Sequence, residues 1–237
     1  MKLARLFCTI LLISSCQKGI IEKEEYARLG SSARRFLTAT PFQSLVIEIN
    51  YMPGFEPDAA TLSAFSSFLS TYLNKPEGIR IRKNAIPASG KDRLSTTDLV
   101  QMERDYRTAF TYGSTITLHV LITDAAYSDD ETFATSYWNT SFALFGKTVA
   151  ANTGGSGEIS RQQLLATLLE HEFGHLMGLV DQGSPMQQPH KDVDNGAHCN
   201  NSKCLMYYAI ETDASIAPTI PALDAACRAD LKANGGK

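Results

Sequence analysis

Apolar and polar positions alternate along this chain with a period that switches between two and about 3.6. Leu45 to Tyr51 is a β-rich run. Gly78 to Ile86 alternates Ile79 and Ile81 with Arg80 and Arg82, the pattern of a half-buried strand. Thr115 to Thr123 alternates Ile116, Leu118, Val120 and Ile122. Between these runs, Pro57 to Asn74 carries Leu62, Phe65, Phe68, Leu69, Tyr72 and Leu73 at helical spacing, with Pro57 suited to a first turn. Ser95 or Thr96 caps a second helix reaching about Phe110, with Leu99, Met102, Tyr106 and Phe110 on one face. Two more strands are expected around Trp138–Leu144 and Thr148–Asn152, joined by Phe145-Gly146-Lys147.

After the break Gly154-Gly-Ser-Gly157, Ser160 caps a helix whose Leu165, Leu169, Phe173 and Leu176 form an apolar stripe. Residues 179–210 lack a regular pattern, and Pro221 to Ala233 closes the chain with an amphipathic helix. The order β-α-β-α-β-β-β, then helix, long loop and helix, predicts an α/β (α+β) fold: a twisted, mostly parallel sheet backed by helices.

The N-terminus falls outside this scheme. Lys2 and Arg5 precede a short apolar run, Leu6 to Ile13, far below the roughly 20 residues that span a bilayer. Ile13-Ser-Ser-Cys16 follows and resembles a bacterial lipobox, which implies a signal peptide over residues 1–15 and a lipid on Cys16. Residues 16–40 are polar, with Glu22-Lys-Glu-Glu25, and read as a tether; 41–237 is then one domain. The expected product is exported, anchored to a bacterial membrane (outer membrane or cell surface) through Cys16, and monomeric. A net charge of −3 gives no reason to expect nucleic acid as a partner. Cys199 and Cys204 are close enough to close a small disulfide loop in an oxidising compartment, leaving Cys227 as a buried thiol.

The chemistry lies in His171-Glu-Phe-Gly-His175. Histidines four apart share one helix face, about 6 Å apart along the axis, so both imidazoles reach one Zn²⁺. Glu172, beside the first histidine, can take a proton from a zinc-bound water without closing the coordination sphere. Gly178, three residues after His175, can adopt the left-handed conformation that ends a helix and turns the chain back. The long loop that follows holds Asp181, His190, Asp192, Asp194 and His198, and a loop of that length in a compact domain is usually functional.

His171-Glu172-x-x-His175-x-x-Gly178, with Met206 after an irregular loop, resembles the metzincin zinc endopeptidases. The resemblance implies a metzincin-like fold and one zinc ion, and places Met206 in a tight turn beneath the metal. His198-Cys199-x4-Cys204-x-Met206 is also similar to the archaemetzincin pattern, in which the third zinc histidine directly precedes a cysteine. The downstream cysteines of the archaemetzincin second zinc site are missing, so one ion is expected. Tyr208 matches the place of an oxyanion-stabilising tyrosine in astacin-like metzincins.

The third ligand stays divided. Asp181 has the usual metzincin offset from the glycine, and a carboxylate is an acceptable ligand. His198 has the archaemetzincin-like context, eight residues before Met206, and a neutral imidazole keeps the site at +2. His190 is the third candidate. The preferred set is His171, His175 and His198, with Asp181 fixing the loop or orienting a histidine. The resemblance implies a zinc-dependent endopeptidase acting on a protein or peptide substrate, with Glu172 as general base. The alternative is a non-catalytic zinc-containing surface lipoprotein that binds peptides or partners.

Overall fold

The computed structural model describes residues 25–129 and 131–237. The sequence readings for the signal peptide and Cys16 lie outside these residues. Strand β1 (Ser44–Tyr51) and strand β4 (Thr115–Thr123) form the centre of the sheet and are buried along nearly their whole length. One face of the pair is apolar (Leu45, Ile47 and Ile49 on β1; Ile116, Leu118, Val120 and Ile122 on β4), while the other buries the polar groups Glu48, Asn50, Thr117 and His119 among apolar ones. β2 (Gly78–Ala85) pairs parallel with β1 and forms one edge, where Arg80, Arg82 and Lys83 face solvent and discourage further pairing. β7 (Ser141–Phe145) pairs parallel with β4, and β6 (Ala134–Trp138) runs antiparallel on the other edge. The sheet order is β2-β1-β4-β7-β6, mostly parallel as expected. β3 (Arg93–Leu94) and β5 (Ala126–Tyr127) form a separate two-stranded pair.

Helices cover both faces. On one side α2 (Ala59–Tyr72) packs against α5 (Arg161–Leu176), and Phe65, Phe173 and Phe36 meet edge to face over Leu45, Ile47, Leu118 and Val120. On the other side α3 (Thr96–Tyr106) covers a smaller core with Leu99, Leu121 and Phe145. Ser95 opens α3 with a full capping box, closed by Asp98. Beneath α3 the sheet carries a buried polar network. Arg107 donates to Glu103 Oε1 at 2.6 Å and to Glu25 Oε2 at 2.8 Å, and Asn50 Nδ2 donates to His119 Nε2 at 3.1 Å.

Three local expectations are corrected. Helix α3 stops at Tyr106 rather than near Phe110, because Arg107 takes an extended conformation and turns inward to its two carboxylates. The expected strand at 148–152 is instead helix α4 (Gly146–Ala151), and the hairpin turn lies earlier, at Asn139-Thr140. Phe55 and the Thr123 carbonyl lie where a Cβ on Gly146 would stand, so the chain leaves the sheet there by turning into a helix. The residues read as a tether join the fold from Glu25 onward: α1 (Ala33–Leu37) buries Phe36 and Leu37 completely. Lys75 fixes the segment that follows by donating to the carbonyls of Arg35, Thr38 and Phe42 at 2.6–2.8 Å. Among the described residues no helix is long and apolar enough to cross a membrane.

Candidate metal centre and cleft

Helix α5 starts where the sequence places it, with the Ser160 side chain accepting from Gln163 N–H. Every residue from Leu164 to Leu176 is buried. Its histidine face therefore looks into the interior side of a cleft, with the loop of residues 179–210 beside it. Gly178 has φ +77°, and a Cβ there would strike the backbone at Ser184 and the side chain of Ala33. The helix thus ends as expected and the chain turns back against the N-terminal segment.

The loop then brings His198 to His171 and His175. Their ring centroids lie 4.9, 5.4 and 5.1 Å apart, and one ring nitrogen from each falls within 4.8 Å of the others. The Nε2 atoms of His171 and His175 are 3.2 Å apart, close to the edge of roughly 3.4 Å expected between two nitrogens on a tetrahedral zinc. Backbone carbonyls set the orientations of His171 and His198. His171 Nδ1 donates to Leu205 O at 2.7 Å and His198 Nδ1 donates to Asn195 O at 2.6 Å, so each leaves an Nε2 lone pair for a metal. Burial pushes His171 down to about 4 and His175 well below the ordinary histidine range, which keeps both rings in the neutral form that ligates. Three imidazoles converging in this way fit a zinc ion.

Asp181 does not join them. Val180 and Asp181 both have positive φ (55° and 68°), and this pair of left-handed residues turns Asp181 outward, its carboxylate 3.8 Å from Lys191 Nζ. His190 is buried elsewhere, donating from Nε2 to Asp230 at 2.8 Å. Cys199 and Cys204, expected to form a disulfide, are free thiols, as is Cys227. Cys199 is tied by its backbone N–H to Met206 O at 2.7 Å while its sulfur turns toward His190, which removes it from Cys204 as a bonding partner.

Met206 sits under α5, with its sulfur and methyl group against Gly174. Glu172 is buried beside the three rings, and burial raises its carboxyl to about 7 against the opposing hydrogen bond from Ser136. Ser136 Oγ, on strand β6, donates to Glu172 Oε2 at 2.6 Å. The sequence reading missed Ser136, Gly174 and the two orienting carbonyls; only the position of Gly174 between the histidines is visible locally. An open cleft of about 460 Å³ lies over the site, with His171, Glu172 and His198 at its floor. Thr132, Phe133 and Ala134 form one wall, and Tyr208, Ala209 and Ile210 the other.

A twisted, mostly parallel sheet followed by a helix with two inward histidines, a long loop and a methionine beneath them places the chain in the metallopeptidase-like α/β class of folds. More narrowly, the fold is archaemetzincin-like. The structure of archaemetzincin from Methanopyrus kandleri aligns with a TM-score of 0.55 and 14% identity, covering 81% of this chain and 96% of that one. Metalloproteinase-II from Bacteroides fragilis aligns with a TM-score of 0.46 and 13% identity over 84% of this chain and 56% of that one. No family model and no curated protein matches the sequence.

Proposed function

We propose that this chain is a zinc-dependent endopeptidase in which His171, His175 and His198 hold the metal and Glu172 is the general base. The observation that carries this reading is the convergence of three imidazoles, two of them oriented by backbone carbonyls, beside a buried carboxylate at the floor of an open cleft. The likeness in fold to archaemetzincin agrees with it.

A zinc ion held there supplies Lewis acidity, which polarises a carbonyl and makes water a nucleophile at neutral pH. Glu172 takes the proton from the attacking water and returns it to the leaving amine. Ser136 keeps the carboxylate aimed into the cleft. Strand β6 is a sheet edge on the cleft side, so an extended peptide can add to it as a further strand, with side chains falling alternately toward the cleft walls. The non-catalytic alternative has less support, since a structural zinc closes its coordination with protein groups and has no use for a buried base beside an open cleft.

The deciding experiment is digestion of a proteome-derived peptide library by the zinc-loaded protein and by Glu172→Ala. The variant is expected to keep zinc and fold but lose activity by about 10²–10⁴-fold; equal cleavage by both proteins overturns the assignment. Zinc content separates the third-ligand candidates: His198→Ala loses the ion, whereas Asp181→Ala keeps it.

The same reading extends to location. Cleavage before Cys16 and lipidation of that residue would leave a monomeric enzyme anchored to a bacterial membrane at the cell surface or outer membrane. The support is the Ile13-Ser-Ser-Cys16 sequence. Cys16→Ala is expected to move the protein out of the membrane fraction or block its processing, and an intact mass without acyl chains on correctly processed wild type refutes the anchor.

A further inference from the structure

The helix that carries His171 and His175 holds a further acidic residue, Glu170, which takes no part in the metal site. Successive helix positions turn by about 100°, so Glu170 leaves the cleft and faces the gap between α2 and the segment 220–223. It is only 6% exposed. Even so, its carboxylate forms no hydrogen bond and no ion pair among the described residues. An open groove of about 260 Å³ lies over it, walled by Phe68 and Tyr72 on α2 and by Ile220, Pro221 and Leu223 opposite.

The polar groups around this carboxylate are committed elsewhere. Ser67 Oγ donates to Ser63 O and Thr71 Oγ1 to Ser67 O, both at 2.9 Å, within their own helix. Arg228, at the groove's edge, donates to the Leu223 carbonyl. Taking a carboxylate out of water without a partner is costly, so an acid at this place is a burden to the fold alone. The rings of Phe68 and Tyr72 stand edge to face, with centroids 5.0 Å apart. Their π faces are negative and attract a cation. An aromatic wall with a carboxylate at its foot, in an otherwise apolar groove, is the chemistry that takes up an organic cation. The opening admits one long side chain, and its apolar walls suit the methylene stem of a lysine or arginine.

We propose that this groove binds a lysine or arginine side chain of another polypeptide, its cationic head on Glu170 and its stem between Phe68, Tyr72 and Pro221. Charge complementarity selects the occupant. A neutral side chain leaves the carboxylate unpaired beneath it, and an acidic one meets like charge. The groove and the metal cleft open on different sides of α5, with no lining residue in common. The site therefore does not depend on whether the protein is a peptidase.

The test is amide NMR titration of the zinc-loaded protein in a Glu172→Ala background, which keeps the probes from being cleaved. The probes are end-blocked tripeptides of alanine with a central lysine, arginine or norleucine, and n-butylammonium as the small-amine arm. The lysine and arginine peptides are expected to shift the amides of Ser67, Thr71, Glu170 and Ala222 saturably. The norleucine peptide, which keeps the stem and lacks the charge, binds about 10-fold or more weaker. Glu170→Gln abolishes that preference, and Phe68→Leu, which keeps the wall apolar, weakens the lysine peptide by about 2- to 5-fold. n-Butylammonium binds more weakly than the lysine peptide; equal affinity overturns a polypeptide as the source. Equal binding of the lysine and norleucine peptides overturns the inference, as does unchanged binding in folded Glu170→Gln. So does the absence of saturable shifts in the groove, or their confinement to the cleft around His171.

Discussion

The sulfur of Met206 occupies the place that a side chain on Gly174 would take, directly beneath the turn of helix that carries His171 and His175. Glycine in a helix interior is costly, by roughly 1 kcal/mol relative to alanine, so its presence here reflects the close approach of the methionine. Gly174→Ala gains that propensity and loses the fit. The net effect is expected to be a destabilisation of about 1–3 kcal/mol with weakened zinc binding, because an overpacked core must shift its neighbours. Denaturant unfolding of the zinc-loaded variant checks the sign; a stabilised variant with unchanged zinc affinity contradicts the contact.

Ser136 reaches Glu172 from a different element, the edge strand β6. Hydrogen bonds to charged groups contribute about 1.5–3 kcal/mol. Ser136→Ala is therefore expected to lower kcat roughly 10- to 100-fold with zinc retained, and Ser136→Thr to restore part of it. Steady-state kinetics on a fluorogenic peptide measures both. An unchanged kcat for the alanine variant would mean that Ser136 does not position the base.

Lys75 ties the chain ahead of β1 to the domain through three backbone carbonyls. Lys75→Met keeps most of the aliphatic stem but strands those carbonyls in a buried setting. A loss of roughly 2–4 kcal/mol is expected, from the cost of unsatisfied buried acceptors. Urea unfolding read by intrinsic fluorescence measures it, and a change below about 0.5 kcal/mol, typical of a surface substitution, would remove the anchoring role.

His119 gives the protein an acid-sensitive point. Burial, reinforced by the Arg107 guanidinium, pushes its pKa down to about 3. An unfolded histidine titrates near 6.5, so between about pH 6.5 and 3 the unfolded chain binds a proton that the folded chain refuses. Stability then falls as the pH drops through this window, by up to roughly 1.4 kcal/mol per pH unit from this one group. His119→Gln removes the titration while preserving a polar partner for Asn50. Its unfolding free energy is expected to depend less steeply on pH between 6.5 and 4.5 than that of wild type; parallel curves would rule out His119 as the source.

Sequence by itself determined the features that depend on neighbours a few residues away. The alternation of Ile79 and Ile81 with Arg80 and Arg82 marked a half-buried strand, and that of Ile116, Leu118, Val120 and Ile122 marked another, because side-chain direction in a strand repeats every two residues; which strands are central and which form the edges came only from the sheet order. The spacing of His171 and His175 put both rings on one helix face before any fold was known, since helix geometry alone guarantees it. Ser95 and Ser160 announced the helix starts because caps are local hydrogen bonds.

Tertiary structure alone decided what depends on where a loop returns. Asp181, His190 and His198 are all ligand-type residues in the same irregular stretch. Only the folded chain separates them, through two left-handed residues that turn Asp181 outward and the Asn195 carbonyl that steers His198 inward. The same loop delivers His190 to Cys199 and Cys227, a grouping no spacing rule predicts. Ser136 meets Glu172 across 36 positions of sequence for the same reason: contacts made by closing long stretches of chain follow from global packing, and no local period records them.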